Sequence, residues 1–80
     1  MLFTKSFEYI MSMKVFAERL LELRKEQRIS QAKLASEIDV SFSVICYWET
    51  DRAEPTAPNL VKLSDYFNVS VDYLLGKKDY

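Results

Sequence analysis

The chain has 80 residues, a formal net charge of −1, one cysteine and no histidine, and together these exclude several classes of protein. A chain of this length forms one small domain. A single cysteine cannot form an internal disulfide bond, and without histidine there is no ligand set for zinc or haem and no His-based catalytic triad. No apolar run approaches the ~20 residues of a membrane span. We therefore expect a non-enzymatic protein without metal or cofactor, and the single thiol suits the reducing cytoplasm.

The first predicted helix runs from Lys14 to Gln27. Phe16, Leu20 and Leu23 follow one another at i, i+4 and i+7, which places them on one helical face. The opposite face carries glutamates spaced four residues apart, so charge pairing does not stabilise this helix by itself. Its apolar face must therefore pack against the rest of the domain.

Residues 1–13 form an arm ahead of this helix, and their pattern leaves the conformation open. A helix would align Phe3, Phe7, Ile10 and Met11, whereas a strand would align Phe7, Tyr9, Met11 and Met13. An apolar arm this short buries little surface within one domain, so we expect it to contact a dimer partner, with Phe7 as a candidate. The alternative is that translation begins at Met11 or Met13.

Two short helices follow, joined by a turn of about three residues. Ser30 is a suitable N-cap for a helix over 31–38, and Ser41 for a helix that runs to about Thr50. Ala35 supplies a small side chain where the two helices would cross. Two short helices joined in this way are typical of a helix-turn-helix, whose second helix enters the major groove of DNA.

Two more helices complete the predicted all-α fold. The fourth runs from a cap at Thr56 to Asn68, which can take the left-handed conformation that ends a helix, and it carries Pro58 in its first turn. The fifth is capped by Ser70, covers 71–75 and is stopped by Gly76. Residues 77–80 are expected to be a frayed tail.

The stretch ISQAKLASEIDVSFSVICYWETDRAEP resembles the phage-repressor helix-turn-helix family, which is Cro and lambda-repressor-like and is also called the xenobiotic-response-element type. The markers of the resemblance are Leu23-Arg24, Ser30-Gln31, Leu34-Ala35, Trp48-Glu49 and the ending Val71-Asp72-Tyr73-Leu74-Leu75. It covers roughly Val15 to Gly76. It implies a five-helix, lambda-repressor-like DNA-binding domain over 14–76, with helices two and three as the helix-turn-helix.

The resemblance also implies a set of residues that contact double-stranded DNA. The positions that match the family's base-reading residues are Ser41, Phe42, Ser43 and Tyr47. Gln31 matches a position that contacts the DNA backbone, and Thr50 matches a phosphate-contacting position. A helical wheel agrees, because Val44, Ile45 and Trp48 share the buried side of helix three, and Phe42, Ser43, Cys46 and Thr50 point the other way. Two interpretations of Phe42 stay open, a contact with DNA or packing against the core edge or a protein partner.

Charged residues add to this predicted surface. Lys33 and Arg52 are further candidates for phosphate contacts, since each is a cation close to the predicted helix-turn-helix. Arg24 and Glu49 match a family ion pair that ties helix one to helix three.

Three features depart from the family pattern. Asp39 and Asp51 stand where the family usually has glycine, although aspartate tolerates the left-handed conformation better than most residues. Asp51 is also expected near the phosphates, where its charge would weaken binding. Helix three carries no Arg, Lys, Asn or Gln, the side chains that pair bidentately with guanine or adenine. We therefore expect modest affinity, with readout by DNA shape and thymine methyl groups.

The sequence thus predicts a transcriptional repressor that binds a two-fold-related operator as a homodimer. The carboxyl-terminal helix offers candidate dimer contacts at Val71, Tyr73, Leu74 and Leu75. One alternative is an antitoxin-type module of the same fold, which also neutralises a partner protein. Another is a protein-interaction domain that has lost its DNA affinity. We expect no membrane association and no separate small-molecule domain, so regulation would come from concentration, a protein partner or the arm.

Overall fold

The computed structural model describes residues 6–80, and within this range the chain forms five α-helices and no β-strand. Their bounds are α1 Phe7–Glu26, α2 Gln31–Ile38, α3 Phe42–Glu49, α4 Ala57–Phe67 and α5 Val71–Leu74. The predicted all-α architecture of five helices is confirmed. In the described part of the chain, no helix is both long enough and apolar enough to cross a membrane.

A serine or threonine begins each helix as its N-cap. The capping residues are Ser6, Ser30, Ser41, Thr56 and Ser70, and each side-chain oxygen accepts a hydrogen bond from the backbone N–H three residues further on. The Lys33 N–H, for example, donates to Ser30 Oγ over 3.0 Å. Such a cap contributes about 1 kcal/mol, because it satisfies a helical N–H that has no carbonyl partner. Four of these caps agree with the sequence prediction, and the cap at Ser6 was not predicted.

Because of that cap, α1 begins at Phe7 rather than at the predicted Lys14. No glycine or proline interrupts the chain between these residues, so a helix that starts at Ser6 continues without a break. The helical alternative for the arm is confirmed over 7–13, the strand alternative is wrong there, and Phe3 lies outside the described residues. The helix leaves Phe7 76% exposed, with Ile10 and Met11 less exposed.

Every helix is followed, within two residues, by a residue with left-handed backbone. These residues are Arg28, Asp39, Asp51, Asn68 and Gly76, with φ between 56° and 77°. At Asp51, the chain turns so that the next N–H, of Arg52, donates to the Tyr47 carbonyl over 2.8 Å. Asp39 and Asp51 confirm the expectation that aspartate can occupy these turns in place of glycine. Nothing in the sequence pattern indicated the same conformation for Arg28.

One hydrophobic core joins all five helices. Its residues are Phe16, Leu20, Leu23, Leu34, Ala35, Ile38, Ile45, Trp48, Leu63, Phe67 and Leu74. Phe16 of α1 and Trp48 of α3 meet edge to face, with ring centroids 6.1 Å apart, so they fix α3 against the longest helix. Val44, which was expected on the buried side of helix three, is only partly buried and packs at the edge of the core, as Leu60 and Tyr66 do.

The four residues of the carboxyl-terminal tail each contact the rest of the fold, so the prediction that the tail frays is wrong. Arg19 Nη1 donates to the Lys78 carbonyl over 2.7 Å, and Ser70 Oγ donates to the Tyr80 carbonyl over 3.0 Å. Sequence patterns that span a few residues could not reveal the bond to Lys78, because Arg19 lies far from Lys78 along the chain.

We predict that Gly76→Ala destabilises the domain by about 1–3 kcal/mol, the range for an unfavourable backbone conformation. Gly76 has φ +77°, and an added Cβ would lie 2.9 Å from Val15 Cγ1 of α1. Chemical denaturation followed by circular dichroism measures the change, with Lys78→Ala on the exposed tail as the control. An unfolding free energy equal to that of the unsubstituted chain would show that α5 does not close onto α1 as described.

Candidate nucleic-acid interface

The helix-turn-helix consists of α2 and α3, joined by Asp39, Val40 and Ser41. Ala35 of α2 is 5% exposed, and its side chain is only a methyl group, which allows the two helices to approach closely. Ile45 and Trp48 lie on the inner side of α3 in the core. The buried side of α3 fixes its orientation, and its opposite side is open to solvent.

Four of the predicted contact residues lie together at the amino-terminal and outer side of α3. They are Ser41, Phe42, Ser43 and Tyr47, all of which are exposed. Phe42 is 53% exposed and Tyr47 is 47% exposed, so both aromatic rings are open to solvent on the outer side of α3. Phe42 therefore does not fold back onto the core edge. The side chain of Ser41 is partly committed, because its Oγ accepts the N–H of Val44 over 3.2 Å.

Thr50 is exposed, but its hydrogen-bond donors are already used. Its hydroxyl donates to the Cys46 carbonyl over 2.8 Å, and its N–H donates to the same carbonyl over 3.2 Å. A phosphate oxygen needs a donor, so a phosphate contact through Thr50 requires one of these bonds to break.

Arg24 and Glu49 form the ion pair that the resemblance implies. Arg24 Nε donates to Glu49 Oε2 over 2.7 Å, and Nη2 donates to Oε1 over 3.0 Å, a bidentate arrangement. The side chains of Arg24 and Glu49 are 13% and 3% exposed. The hydrogen bonds to Glu49 raise the pKa of Arg24 above its usual value, although burial acts in the opposite direction. Arg24 Nη1 also donates to the Ile29 carbonyl over 3.0 Å, so the pair ties α1 to α3 and to the segment that leads into α2.

Gln31, the predicted backbone contact, belongs to the same network. Its Nε2 donates to Glu49 Oε1 over 2.9 Å, while its Oε1 accepts from Cys46 Sγ over 3.5 Å. An amide nitrogen has two protons, so Nε2 keeps one donor for a phosphate oxygen. The helical wheel placed Cys46 on the outer side of α3, whereas in the structure it is half-buried against Gln31. The start of α2 covers that flank of α3, a contact between helices that a wheel drawn for one helix omits.

The predicted cations differ in what they contact. Lys33 Nζ lies 3.7 Å from Glu37 on the same helix, in an exposed pair of the kind worth less than about 1 kcal/mol. Arg52 is exposed and has no side-chain ion pair or hydrogen bond within residues 6–80. Sequence reasoning missed Lys14, whose Nζ lies 3.6 Å from Asp51 Oδ2, because residues so far apart in sequence carry no pattern that joins them.

The candidate dimer residues differ in their exposure. Leu74 is 0% exposed in the core, so its assignment as a dimer contact is corrected: it packs inside its own domain. Tyr73 lies beneath Arg19, whose guanidinium carbon is 4.2 Å from the ring centroid. Val71 and Leu75 remain half-buried. Phe7 is exposed near the start of α1.

Comparison with known proteins gives the family. A family model described as helix-turn-helix matches residues 20–74. The chain belongs to the Cro and C1-like helix-turn-helix family. The matched range contains all of α2 and α3, and the Arg24–Glu49 pair lies inside it, so the family resemblance stated from the sequence is confirmed.

Helix-turn-helix regulators are among the relatives that match. The transcriptional regulator ImmR of Bacillus subtilis (strain 168) is 36% identical over 62 residues, which are 78% of this chain and 49% of that protein. The cryptic phage CTXphi transcriptional repressor RstR of Vibrio cholerae serotype O1 is 38% identical over 60 residues, 75% of this chain and 54% of that protein. The chain therefore spans about half the length of these two relatives.

A solved helix-turn-helix structure shows the same fold. The P22 c2 repressor of Salmonella phage P22, crystallised with a synthetic operator, matches with a TM-score of 0.74 and 38% identity. The match covers 79% of this chain and 96% of that chain. The predicted lambda-repressor-like fold of five helices is confirmed.

We predict that Arg24→Leu lowers the unfolding free energy by about 3–5 kcal/mol, because it leaves the buried carboxylate of Glu49 without its cation. The double variant Arg24→Leu/Glu49→Leu removes both charges and should lose less than the single variant. Urea denaturation of Arg24→Leu, of Glu49→Leu and of the double variant measures the coupling between the two side chains. Independent, additive losses would contradict a buried pair that acts as a unit.

Proposed function

We propose that this chain is the DNA-binding domain of a transcriptional repressor, and that it binds a two-fold-related operator as a homodimer. The exposed outer side of α3 is the observation that carries the proposal, since it presents Phe42, Ser43 and Tyr47 while its other side is fixed in the core. The matched P22 c2 repressor, crystallised with its synthetic operator, supports an operator as the ligand. We also propose a cytoplasmic location, because DNA would be the ligand and a single free thiol suits a reducing compartment.

The residues on α3 favour a particular readout of the base pairs. Ser43 can donate to or accept from several bases, and the edges of Phe42 and Tyr47 can pack against the methyl group of thymine. None of these side chains makes the bidentate pairs by which arginine recognises guanine or asparagine recognises adenine. We therefore propose an operator in which thymine methyl groups and local DNA shape supply most of the specificity.

Contacts with the DNA backbone would come from the flank of α2. Gln31 retains one amide donor there, and the first N–H groups of an α-helix have no carbonyl partner and favour an anion. Lys33 and Arg52 are the proposed cationic contacts. The hydrogen bond to Glu49 restricts the Gln31 side chain in the absence of DNA, so little of its side-chain entropy is lost on binding.

We also propose a division of the chain into an arm and a DNA-binding domain. We assign DNA binding to 14–76, and we propose that the arm, 1–13, contacts a second copy through Phe7. With Leu74 buried, the remaining carboxyl-terminal contacts proposed for such a dimer are Val71, Tyr73 and Leu75. A two-fold dimer would place its two α3 helices one helical turn of DNA apart, roughly 34–36 Å.

One observation favours a protein partner as the second candidate function. Phe7, Ile10 and Met11 are exposed on the same side of α1 within two turns, a spacing at which apolar side chains normally pack against a neighbour. An antitoxin-type module would use such a side to hold its partner protein while α3 binds DNA. A pure interaction domain would use it without binding DNA.

Selection of bound duplexes from a random DNA pool tests the proposed function. We expect a palindromic sequence to emerge, because a two-fold dimer presents the same residues to both half-sites. Ser43→Ala and Tyr47→Ala should relax the preference at specific positions, at a cost of about 1–3 kcal/mol for each lost base contact. Tyr80→Ala, on the exposed tail, is the matched control and should leave the selected sequence unchanged. If no sequence is enriched and low-salt binding is also absent, the fold serves protein contacts instead.

A separate prediction concerns Asp51, which lies in the loop that follows α3 and pairs with Lys14. We expect Asp51→Asn to tighten binding to DNA, because it removes a negative charge beside the phosphates and frees Lys14 to contact one. Asparagine also tolerates the left-handed backbone at this position, so the turn is preserved. Titration at several salt concentrations should show a salt slope steeper by about 0.9, the value for one added phosphate contact.

Asp65→Asn on α4 makes the same change in net charge away from the proposed interface. Equal tightening by both variants would mean that net charge alone, and not the position of Asp51, controls the affinity.

A further inference from the structure

Among the five left-handed residues that follow the helices, Arg28 is the exception. Gly76, Asn68, Asp39 and Asp51 are of the types that adopt this conformation most readily. A long, unbranched side chain such as that of Arg28 has no local hydrogen bond to compensate for it, so φ of 56° is unfavourable there. A residue held in an unfavourable conformation at a surface turn suggests that its side chain has a function.

The backbone around Arg28 is firmly held. Its N–H donates to the Lys25 carbonyl over 3.0 Å, and the Ile29 N–H donates to the Arg24 carbonyl over 3.2 Å, which together form a Schellman motif. Ile29 packs against the core, and its carbonyl accepts from the Arg24 guanidinium. The Arg24–Glu49 network therefore fixes the turn, while Arg28 itself is exposed.

Most cations of the first two helices are occupied inside the fold. Lys14 pairs with Asp51, Arg24 with Glu49 and Lys33 with Glu37, and Arg19 contacts the ring and carbonyl of Tyr73. Lys25 and Arg28 are different, because within residues 6–80 neither side chain has an ion pair or a hydrogen bond. These two exposed cations stand together at the corner between α1 and α2.

That corner adjoins the start of α2. Only two residues separate Arg28 from Gln31, so their Cα atoms lie within about 11 Å even if the chain is fully extended. The amino terminus of α2 and the Gln31 amide already favour an anion at this point. A phosphate there would meet the N–H groups of α2, the amide of Gln31 and the cations of the corner.

We propose that Arg28, with Lys25 beside it, is a phosphate-binding contact for the DNA strand that passes the start of α2. The proposal rests on the proposed DNA-binding function and adds a site to it. The two cations supply local positive charge to a chain whose net charge is −1, and the left-handed turn directs a guanidinium away from the core. Glycine would suit the turn better but would remove that charge.

Arg28→Asn tests the contact, because asparagine keeps the turn and removes the charge. The probes are the duplex selected by the unsubstituted chain and a duplex of random sequence, each titrated at several salt concentrations. We expect Arg28→Asn to weaken binding to both duplexes by the same factor and to make the salt slope shallower by about 0.9. Arg28→Lys should retain the slope. Lys78→Asn, which removes one cation from the exposed tail, is the matched control and should leave the slope unchanged.

Thermal unfolding separates a DNA contact from a role in folding, and we expect the midpoint of Arg28→Asn to equal or exceed that of the unsubstituted chain. Slopes and affinities equal to those of the unsubstituted chain would overturn the proposal for Arg28 and leave the proposed function intact. A loss of affinity confined to the selected duplex would also overturn the proposal for Arg28, since a phosphate contact does not distinguish sequences. If the unsubstituted chain binds neither duplex at low salt, the proposed function fails, and the Arg28 contact fails with it.

Discussion

The carboxylate of Glu49 is the point on which the arrangement of α1, α2 and α3 depends. It accepts two hydrogen bonds from Arg24 and one from Gln31, while its side chain is only 3% exposed. A carboxylate buried to this extent is unfavourable unless charged or polar groups satisfy it, so the three helices must sit where their donors reach it. The same atoms that hold the fold therefore set the position of the proposed DNA contact at Gln31. Binding and folding cannot be varied independently at this site.

Local chemistry explains why most of the fold could be predicted from the sequence. Ser30, Ser41, Thr56 and Ser70 mark helix starts through side-chain bonds that reach only three residues, and such bonds appear as short patterns. The start of α1 was misplaced because the apolar spacing from Phe16 onward begins a packed face and not the helix itself. The earlier residues are helical yet remain exposed, so they have no reason to follow the spacing of a buried face.

The candidate site was predictable in its residues but not in their bonds. The resemblance placed Phe42, Ser43 and Tyr47 on an exposed helix face, where the structure has them. It could not give the contacts of Cys46 with Gln31 or of Lys14 with Asp51, since each joins elements that meet only after folding. The prediction of Leu74 as a dimer contact was wrong for a related reason. A short apolar helix has the same sequence whether it faces its own core or a second copy, and only the packing of α5 decides between them.

Charge placement resolves the apparent conflict between a net charge of −1 and a DNA ligand. Phosphate attraction decays within about 10 Å at 0.1 M salt, so the charges near the contact matter and the total does not. Several acidic side chains each neutralise a cation within the fold, as Glu37 does for Lys33. Lys25, Arg28 and Arg52 are exposed, have no acidic partner within residues 6–80, and lie beside the two ends of the helix-turn-helix. A weakly charged interface combined with aromatic readout would bind non-specific DNA poorly, and this leaves more of the protein available for its operator.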